Sequence, residues 1–247
     1  MGGLIAFEGW DTTLSPIEDA MDLIDVAHSL VPSAQYARLA VAGRTSERKI
    51  DLSQVRDAIG NVDASWSITV LDNNNKISNR GLLSSTSFFV IKMHKFMRGF
   101  YVFDSNLDNI HETYSEFSDK IGQVLSNRLN GFGYYEKFSD PIDASIYALD
   151  LRMSYSNVTM QNILKSRRPE WRKNFSLPIN ERLPRDFYIY NVFPKSFSSR
   201  LLEYPDIDDL VLNKIIHVNN MQYYTAISFR GYVELDAARI KLHKYIF

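Results

Sequence analysis

The sequence predicts an α+β protein in which an antiparallel or mixed β-sheet carries helices mainly on one face. Strand-like and helix-like segments alternate irregularly along the 247 residues, which favours such a sheet. Two aromatic-rich stretches, 88–96 and 100–103, flank Gly99 as the strands of a hairpin would. From 104 to 129, apolar side chains recur every third or fourth residue, which is the spacing of an amphipathic helix that faces a sheet.

The first elements are predicted from apolar runs and capping residues. Leu4 to Phe7 is an apolar strand. A helix is expected from Ser15, because Ser15, Pro16 and Glu18 form the sequence of a capping box with proline at the first helical position. It is expected to end at Val31, since a residue before proline avoids the helical conformation. Further elements are expected at Tyr36 to Ala42 (strand), Asp51 to Ile59 (short helix) and Trp66 to Val70 (strand).

The second half is predicted to place strands and helices on either side of an irregular connection. The expected elements are strands at 131–138 and 187–193, a hairpin of 211–218 with 221–229 around Asn219-Asn220, and helices at 140–153 and 233–247. Residues 165–186 are basic and rich in proline, so they are predicted to form an exposed, irregular connection. The chain is therefore predicted as a single α+β domain, 1–247, with an N-terminal part (1–164) and a C-terminal part (187–247).

Composition limits the partners and the chemistry. The 28 basic and 29 acidic residues give a net charge of −1, so neither direct nucleic-acid binding nor membrane binding is expected. The absence of cysteine excludes disulfides and thiolate metal sites. The acidic Glu8 comes too early for an apolar signal segment, and a cytoplasmic location is expected. The histidines are scattered singly, so no metal site is predicted: His28, His94, His111, His217 and His243.

No sequence motif of a known catalytic site is present, and we predict no enzymatic activity and no cofactor. The carboxylates at Glu203, Asp206, Asp208 and Asp209 lack the register of a calcium-binding loop. A carboxylate pair that only the fold brings together stays open as an alternative, because such a pair leaves no local pattern. The alternative function is therefore an enzyme or pseudoenzyme with a site assembled from distant segments.

The last third of the chain resembles a known family. It has a strand, Phe187 to Pro194, then Leu201-Leu202, a hairpin, and a terminal helix through Ala237-Ala238-Arg239. This order resembles the C-terminal part of bacterial immunity proteins that neutralise toxins of contact-dependent or type VI secretion systems, especially the immunity protein fifty-two group. The resemblance implies a non-catalytic cytoplasmic protein that binds a cognate toxin, often a nuclease, and occludes its active site.

Two acidic segments are predicted to bind such a partner. A toxin that acts on nucleic acid presents basic groups to phosphates, and carboxylates can occupy that surface. Tyr204 adds an aromatic anchor of the kind that carries binding energy at interfaces. The alternative is that both segments are ordinary solvated surface. The predicted residues are Glu203, Tyr204, Asp206, Asp208 and Asp209 on a loop, and Asp104, Asp108, Glu112 and Glu116 on the long helix.

Overall fold

The computed structural model describes residues 1–43, 48–60, 62, 65–72, 83–94, 98–107, 121–122, 124–149, 177–178, 181–214 and 216–242. Its strands are β1 Gly2–Glu8, β2 Ala34–Val41, β3 Arg48–Asp51, β4 Trp66–Asp72, β5 Ser87–Met93, β6 Arg98–Asp104, β7 Phe132–Phe138, β8 Tyr190–Pro194, β9 Ile216–Asn220 and β10 Tyr224–Phe229. Its helices are α1 Pro16–Leu30, α2 Val55–Gly60, α3 Pro141–Leu149, α4 Lys195–Leu202, α5 Pro205–Leu212 and α6 Tyr232–Leu242.

All ten strands belong to one antiparallel sheet. Their order is β3-β2-β4-β5-β6-β1-β7-β8-β10-β9, so β1 lies in the interior, between β6 and β7. Backbones approach closely at this position. A Cβ atom on Gly3 would overlap the Leu107 carbonyl oxygen and the Tyr135 ring, which explains glycine there. The centre of the sheet thus joins segments that are far apart in the sequence.

Helices cover both faces of the sheet. His28 of α1 contacts the ring of Phe89 at 5.9 Å, whereas Tyr147 of α3 contacts Tyr101 at 6.3 Å. Phe89 pairs with Val102 across the β5–β6 ladder, and neighbouring residues of a strand point to opposite faces, so α1 and α3 lie on opposite sides. Helix α2 contacts α1 and lies on the same side of the sheet. The other described helices, α4 to α6, lie on the side of α3. The predicted α+β class, with an antiparallel sheet and helices mainly on one face, is confirmed.

The predicted capping box and central hairpin are confirmed. The Glu18 amide donates to Ser15 Oγ at 3.3 Å, and the Ser15 amide donates to Glu18 Oε2 at 3.1 Å. β5 and β6 pair as the expected hairpin. Of the predicted helix at 104–129, residues 121–122 and 124–125 are helical, 104 ends β6, and 108–120 lie outside the described residues. No helix in the described ranges is long and apolar enough to cross a membrane.

The C-terminal hairpin is confirmed with different bounds. Asn219 and Asn220 pair with β10 instead of forming the turn, which falls at 221–223. The predicted strand at 211–218 is wrong at its start, because Val211 and Leu212 end α5. Lys214 then adopts a φ of 55°, a left-handed conformation that reverses the chain before β9.

We expect Ser15→Ala to lower the free energy of unfolding by about 1 kcal/mol, because the first turn of α1 loses a hydrogen-bond acceptor. Urea unfolding followed by circular dichroism measures this. Thr13→Ala, at an exposed position just before the helix, is the matched control. Equal stability of the two variants would contradict the capping role.

Candidate functional site

The acidic segment predicted as a loop lies on a tight turn and a helix instead. Glu203 follows the last residue of α4, and Tyr204 precedes Pro205, the first residue of α5. The Ile207 amide donates to the Tyr204 carbonyl oxygen at 2.9 Å, which begins the helix. The prediction of an irregular loop is therefore wrong from Pro205 onward. Proline suits this position, since the first helical residues need no intrahelical amide bond.

Helix α5 turns its apolar side inward and its carboxylates outward. Ile207 and Leu210 are buried, Asp208 and Asp209 are exposed, and Asp206 is half-buried. Asp206 and Asp208 lie in the first turn, where the helix dipole stabilises negative charge. The predicted residues thus share one solvent-facing stretch. We call it the acidic segment: Glu203, Tyr204, Asp206, Asp208 and Asp209.

The first residue of the second predicted acidic segment, Asp104, does not lie on the surface of the protein. Asp104 is only 5% exposed, and its carboxylate accepts hydrogen bonds from Ser87 Oγ and the Asn106 amide, both at 2.6 Å. These bonds close the end of β6 and hold Asp104 inside the fold, whereas its role in binding a partner stays a prediction. The other predicted residues of this segment, Asp108, Glu112 and Glu116, lie outside the described residues.

Sequence reasoning missed a buried ionic network beneath α3. The Glu8 carboxylate, at the end of β1, accepts hydrogen bonds from the hydroxyl groups of Tyr101 and Tyr134. Arg185 donates from Nη2 to the same carboxylate at 2.8 Å. The Arg185 guanidinium also lies 4.2 Å from the centre of the Tyr147 ring, where the π-electrons attract a cation. The Glu8 carboxylate thus connects β1 to β6, to β7 and to the segment before β8, and Arg185 extends the network to α3.

Arg185 corrects the predicted exposure of the 165–186 connection. Its described C-terminal end is irregular, as expected, but Arg185 is 2% exposed and Asp186 is fully buried. The sequence signal of this burial is that both charges directly precede the predicted aromatic strand at 187–193. Charged side chains are almost never fully buried unless they are paired, and the partners here are Glu8 for Arg185 and Arg239 for Asp186.

Three tyrosines in and around this network, Tyr134, Tyr147 and Tyr188, hold their protons. Burial raises the pKa of Tyr134 well above 10, and the neighbouring Glu8 carboxylate raises it further. Burial also raises the pKa of Tyr147 and of Tyr188, whose hydroxyl groups lie 3.0 Å apart. The protonated phenols can therefore act as donors to Glu8, and the network stabilises the fold instead of presenting an acid or base to solvent.

A second buried network lies on the opposite face. The Asp19 carboxylate of α1 accepts hydrogen bonds from Trp10 Nε1, Arg98 Nη1 and Arg128 Nε, each at 2.9 Å. Arg128 also donates to Asp22 at 2.8 Å, and its side chain is fully buried. This carboxylate joins α1 to β6 and to the chain that enters β7.

A third ionic group ties α6 to the sheet. Arg239 donates from Nη2 and Nε to the Phe187 carbonyl oxygen at 2.6 and 2.9 Å. Its guanidinium lies 3.8 Å from both Glu136 and Asp186. Burial raises the pKa of Glu136, and the positive charge of Arg239 opposes the shift.

A cleft of about 680 Å³ lies between the start of α1 and the ends of β4 to β6. Among the described residues that line it, the ionisable ones are His94 and Arg98, and none of these described residues is a carboxylate. Arg98 is engaged with Asp19. In the described part of the chain, no group of three or more His, Asp or Glu side chains is placed to hold a metal ion. The lining residues are Ser15, Pro16, Ile17, Ile59, Gly60, Val62, Ser65, Trp66, Met93, His94 and Arg98.

The comparisons with known proteins concern the fold. No family model and no curated protein matches the chain. Among solved structures, the Pseudomonas aeruginosa T6SS protein PA0821 is similar, with a TM-score of 0.50 and 10% sequence identity. The likeness covers 97% of this chain and 73% of that one. At this identity it shows a shared α+β architecture with a protein of a type VI secretion system.

We expect Arg185→Met to lower the free energy of unfolding by about 3–5 kcal/mol, because it leaves the Glu8 carboxylate buried without its cation. Arg230→Met is the matched control. It removes an ion pair to Glu234 in which the arginine side chain is 66% exposed, and should change stability by at most about 1 kcal/mol. Guanidinium unfolding compares the two, and equal losses would contradict the role of the Glu8 network.

The raised pKa of Glu136 predicts a pH-dependent contribution to stability. Above the ordinary value of 4.5, the folded chain keeps a proton on this carboxyl that the unfolded chain has lost. Its contribution to the free energy of unfolding therefore falls as pH rises from 4.5 to the raised pKa. We expect the stability of the wild-type chain relative to Glu136→Gln to decline over that range. Parallel stability curves between pH 4.5 and 8 would contradict this.

Proposed function

We propose that this chain is a non-catalytic protein that binds a cognate bacterial toxin and neutralises it by occluding the toxin's active site. The observation that carries the proposal is the acidic segment, whose carboxylates project from a turn and helix fixed to the protein core. The fold likeness to a type VI secretion protein and the resemblance of residues 187–239 to immunity proteins support it.

The geometry of α5 suits recognition of a basic protein surface. Ile207 and Leu210 anchor the helix, so the neighbouring carboxylates are held in place before a partner arrives. Preorganised groups lose little conformational entropy on binding. A nuclease must present basic groups to phosphates, and such groups are attracted to carboxylates over distance, which accelerates association. With a nuclease as the target, we propose that both proteins act in the cytoplasm.

The alternative, an enzyme with carboxylates gathered from distant segments, has less support. The fold does bring Glu8 and Asp19 close to residues from distant segments. However, Glu8 forms an ion pair with Arg185, and Asp19 forms ion pairs with Arg98 and Arg128. The cleft of about 680 Å³ beside α1 is lined, among the described residues, by His94 and Arg98 and by no carboxylate. These arrangements favour structural roles for the buried charges.

Co-expression tests the proposal. The probe is the product of the gene immediately upstream of the gene of this chain, which we expect to encode the toxin, produced from an inducible promoter in a susceptible host. We expect the toxin alone to stop growth and the wild-type chain to restore it, with a stable complex of the two purified proteins. Persistent growth arrest despite abundant soluble chain would refute the proposed function.

Charge reversal tests the acidic segment. We expect the double variant Glu203→Lys, Asp209→Lys to associate more slowly with the toxin and to bind about 2 kcal/mol more weakly. Both residues are exposed and lie outside the first turn of α5, so the changes spare the helix dipole. The control, Asp25→Lys with Asp57→Lys, makes the same charge change on α1 and α2. Equal affinity and equal salt dependence of the two double variants would remove the acidic segment from the interface.

A further inference from the structure

Helix α6 is apolar on both of its sides. Its buried side carries the apolar residues Leu235, Ala238 and Leu242 beside the paired Arg239. On the opposite side, Val233, Ala237 and Ile240 recur at intervals of four and three residues, which aligns them along the helix. Val233 is 82% exposed and Ile240 is 81% exposed. A helix that only covers a sheet carries polar residues on its outer side. We call these three outer residues the α6 stripe.

We propose that the α6 stripe is the apolar centre of a docking surface for a partner protein whose complementary patch is apolar and rimmed by basic side chains. This inference rests on the proposed function, because the partner is the same toxin. It adds that the tightest contact is made by α6, whereas the acidic segment forms the rim of the interface.

The stripe and the acidic segment lie on neighbouring elements. α5 packs against both α4 and α6, on the same face of the sheet. Leu212, the last residue of α5, is 78% exposed, and Tyr204 and Tyr232 are partly exposed. Apolar and aromatic side chains are therefore concentrated beside the carboxylates of the acidic segment. An apolar centre with a polar rim is the usual anatomy of a protein interface.

Charge indicates which partner occupies this surface. α5 carries Asp206, Asp208 and Asp209 and no basic residue. Two copies joined through this side would bring two acidic helices to one interface, where like charges repel. A partner with lysine or arginine around its apolar patch meets complementary charge instead. The occupant we infer is thus a basic protein and not a second copy of this chain.

The two parts of the surface should affect binding differently. Long-range attraction to the acidic segment acts before contact, so it changes the association rate. Burial of the α6 stripe acts only in the formed complex, so it changes the dissociation rate. This difference separates the stripe from the acidic segment in one kinetic experiment.

The experiment uses the purified toxin encoded beside the gene of this chain, immobilised for surface plasmon resonance. We expect Val233→Ala with Ile240→Ala to weaken binding at least tenfold, through faster dissociation with an unchanged association rate. Ala237→Arg, which places a bulky cation in the middle of the stripe, should weaken binding more than tenfold. The control is Leu129→Ala, at a 45% exposed leucine on a different segment, and should bind as the wild type does.

The outcomes separate this inference from the proposed function. Wild-type chain that neither binds nor neutralises the toxin would overturn both. Wild-type binding that both stripe variants retain unchanged would overturn the inference alone. Light scattering tests whether a second copy of this chain occupies the stripe. If the wild type is a dimer and the stripe variants are monomers with unchanged affinity for the toxin, the stripe binds a second copy and the inference is overturned.

Discussion

The structure depends on a carboxylate buried in the middle of its sheet. Glu8 is inaccessible to solvent, and an ionised carboxylate removed from water is stable only with a nearby cation and several hydrogen-bond donors. Arg185 supplies the cation and two tyrosines supply further donors. Because Arg185 precedes β8, its ion pair fixes the chain beneath α3 and positions β8 against β7. The C-terminal helices, including the acidic segment, follow from that placement.

The same arrangement recurs on the other face with different residues. Asp19 of α1 accepts hydrogen bonds from Arg98, Arg128 and the indole of Trp10, so ion pairs as well as apolar packing join the helix to the sheet. Arg239 joins α6 through a carbonyl oxygen and two carboxylates. Both α1 and α6 are thus joined to the sheet through an arginine.

Local signals in the sequence predicted elements such as α1 and the β5–β6 hairpin, but they did not predict α5 or the pairings between distant segments. Ser15, Pro16 and Glu18 identified the start of α1 because a capping box is complete within four residues. The pairing of Glu8 with Arg185 left no local pattern, since 177 residues separate them. For the candidate site, the run of acidic residues in the sequence was enough to predict the carboxylates of the acidic segment. The burial of Asp104 left no such signal, because it depends on Ser87 across the β5–β6 ladder. The α6 stripe was not predicted, because exposed apolar residues of a helix cannot be told from buried ones in the sequence alone.

The interior position of β1 has a consequence for synthesis on the ribosome. Residues 2–8 are made before their neighbours in the sheet, residues 98–104 and 132–138. At elongation rates of about 5–20 residues per second, the second neighbour is made on the order of ten seconds later. Both edges of this apolar segment are unpaired until residues 98–104 have been made, and one edge stays unpaired until residues 132–138 follow, so the segment is available to chaperones or to other nascent chains. The interior position of β1 therefore delays its full protection until β7 has been made.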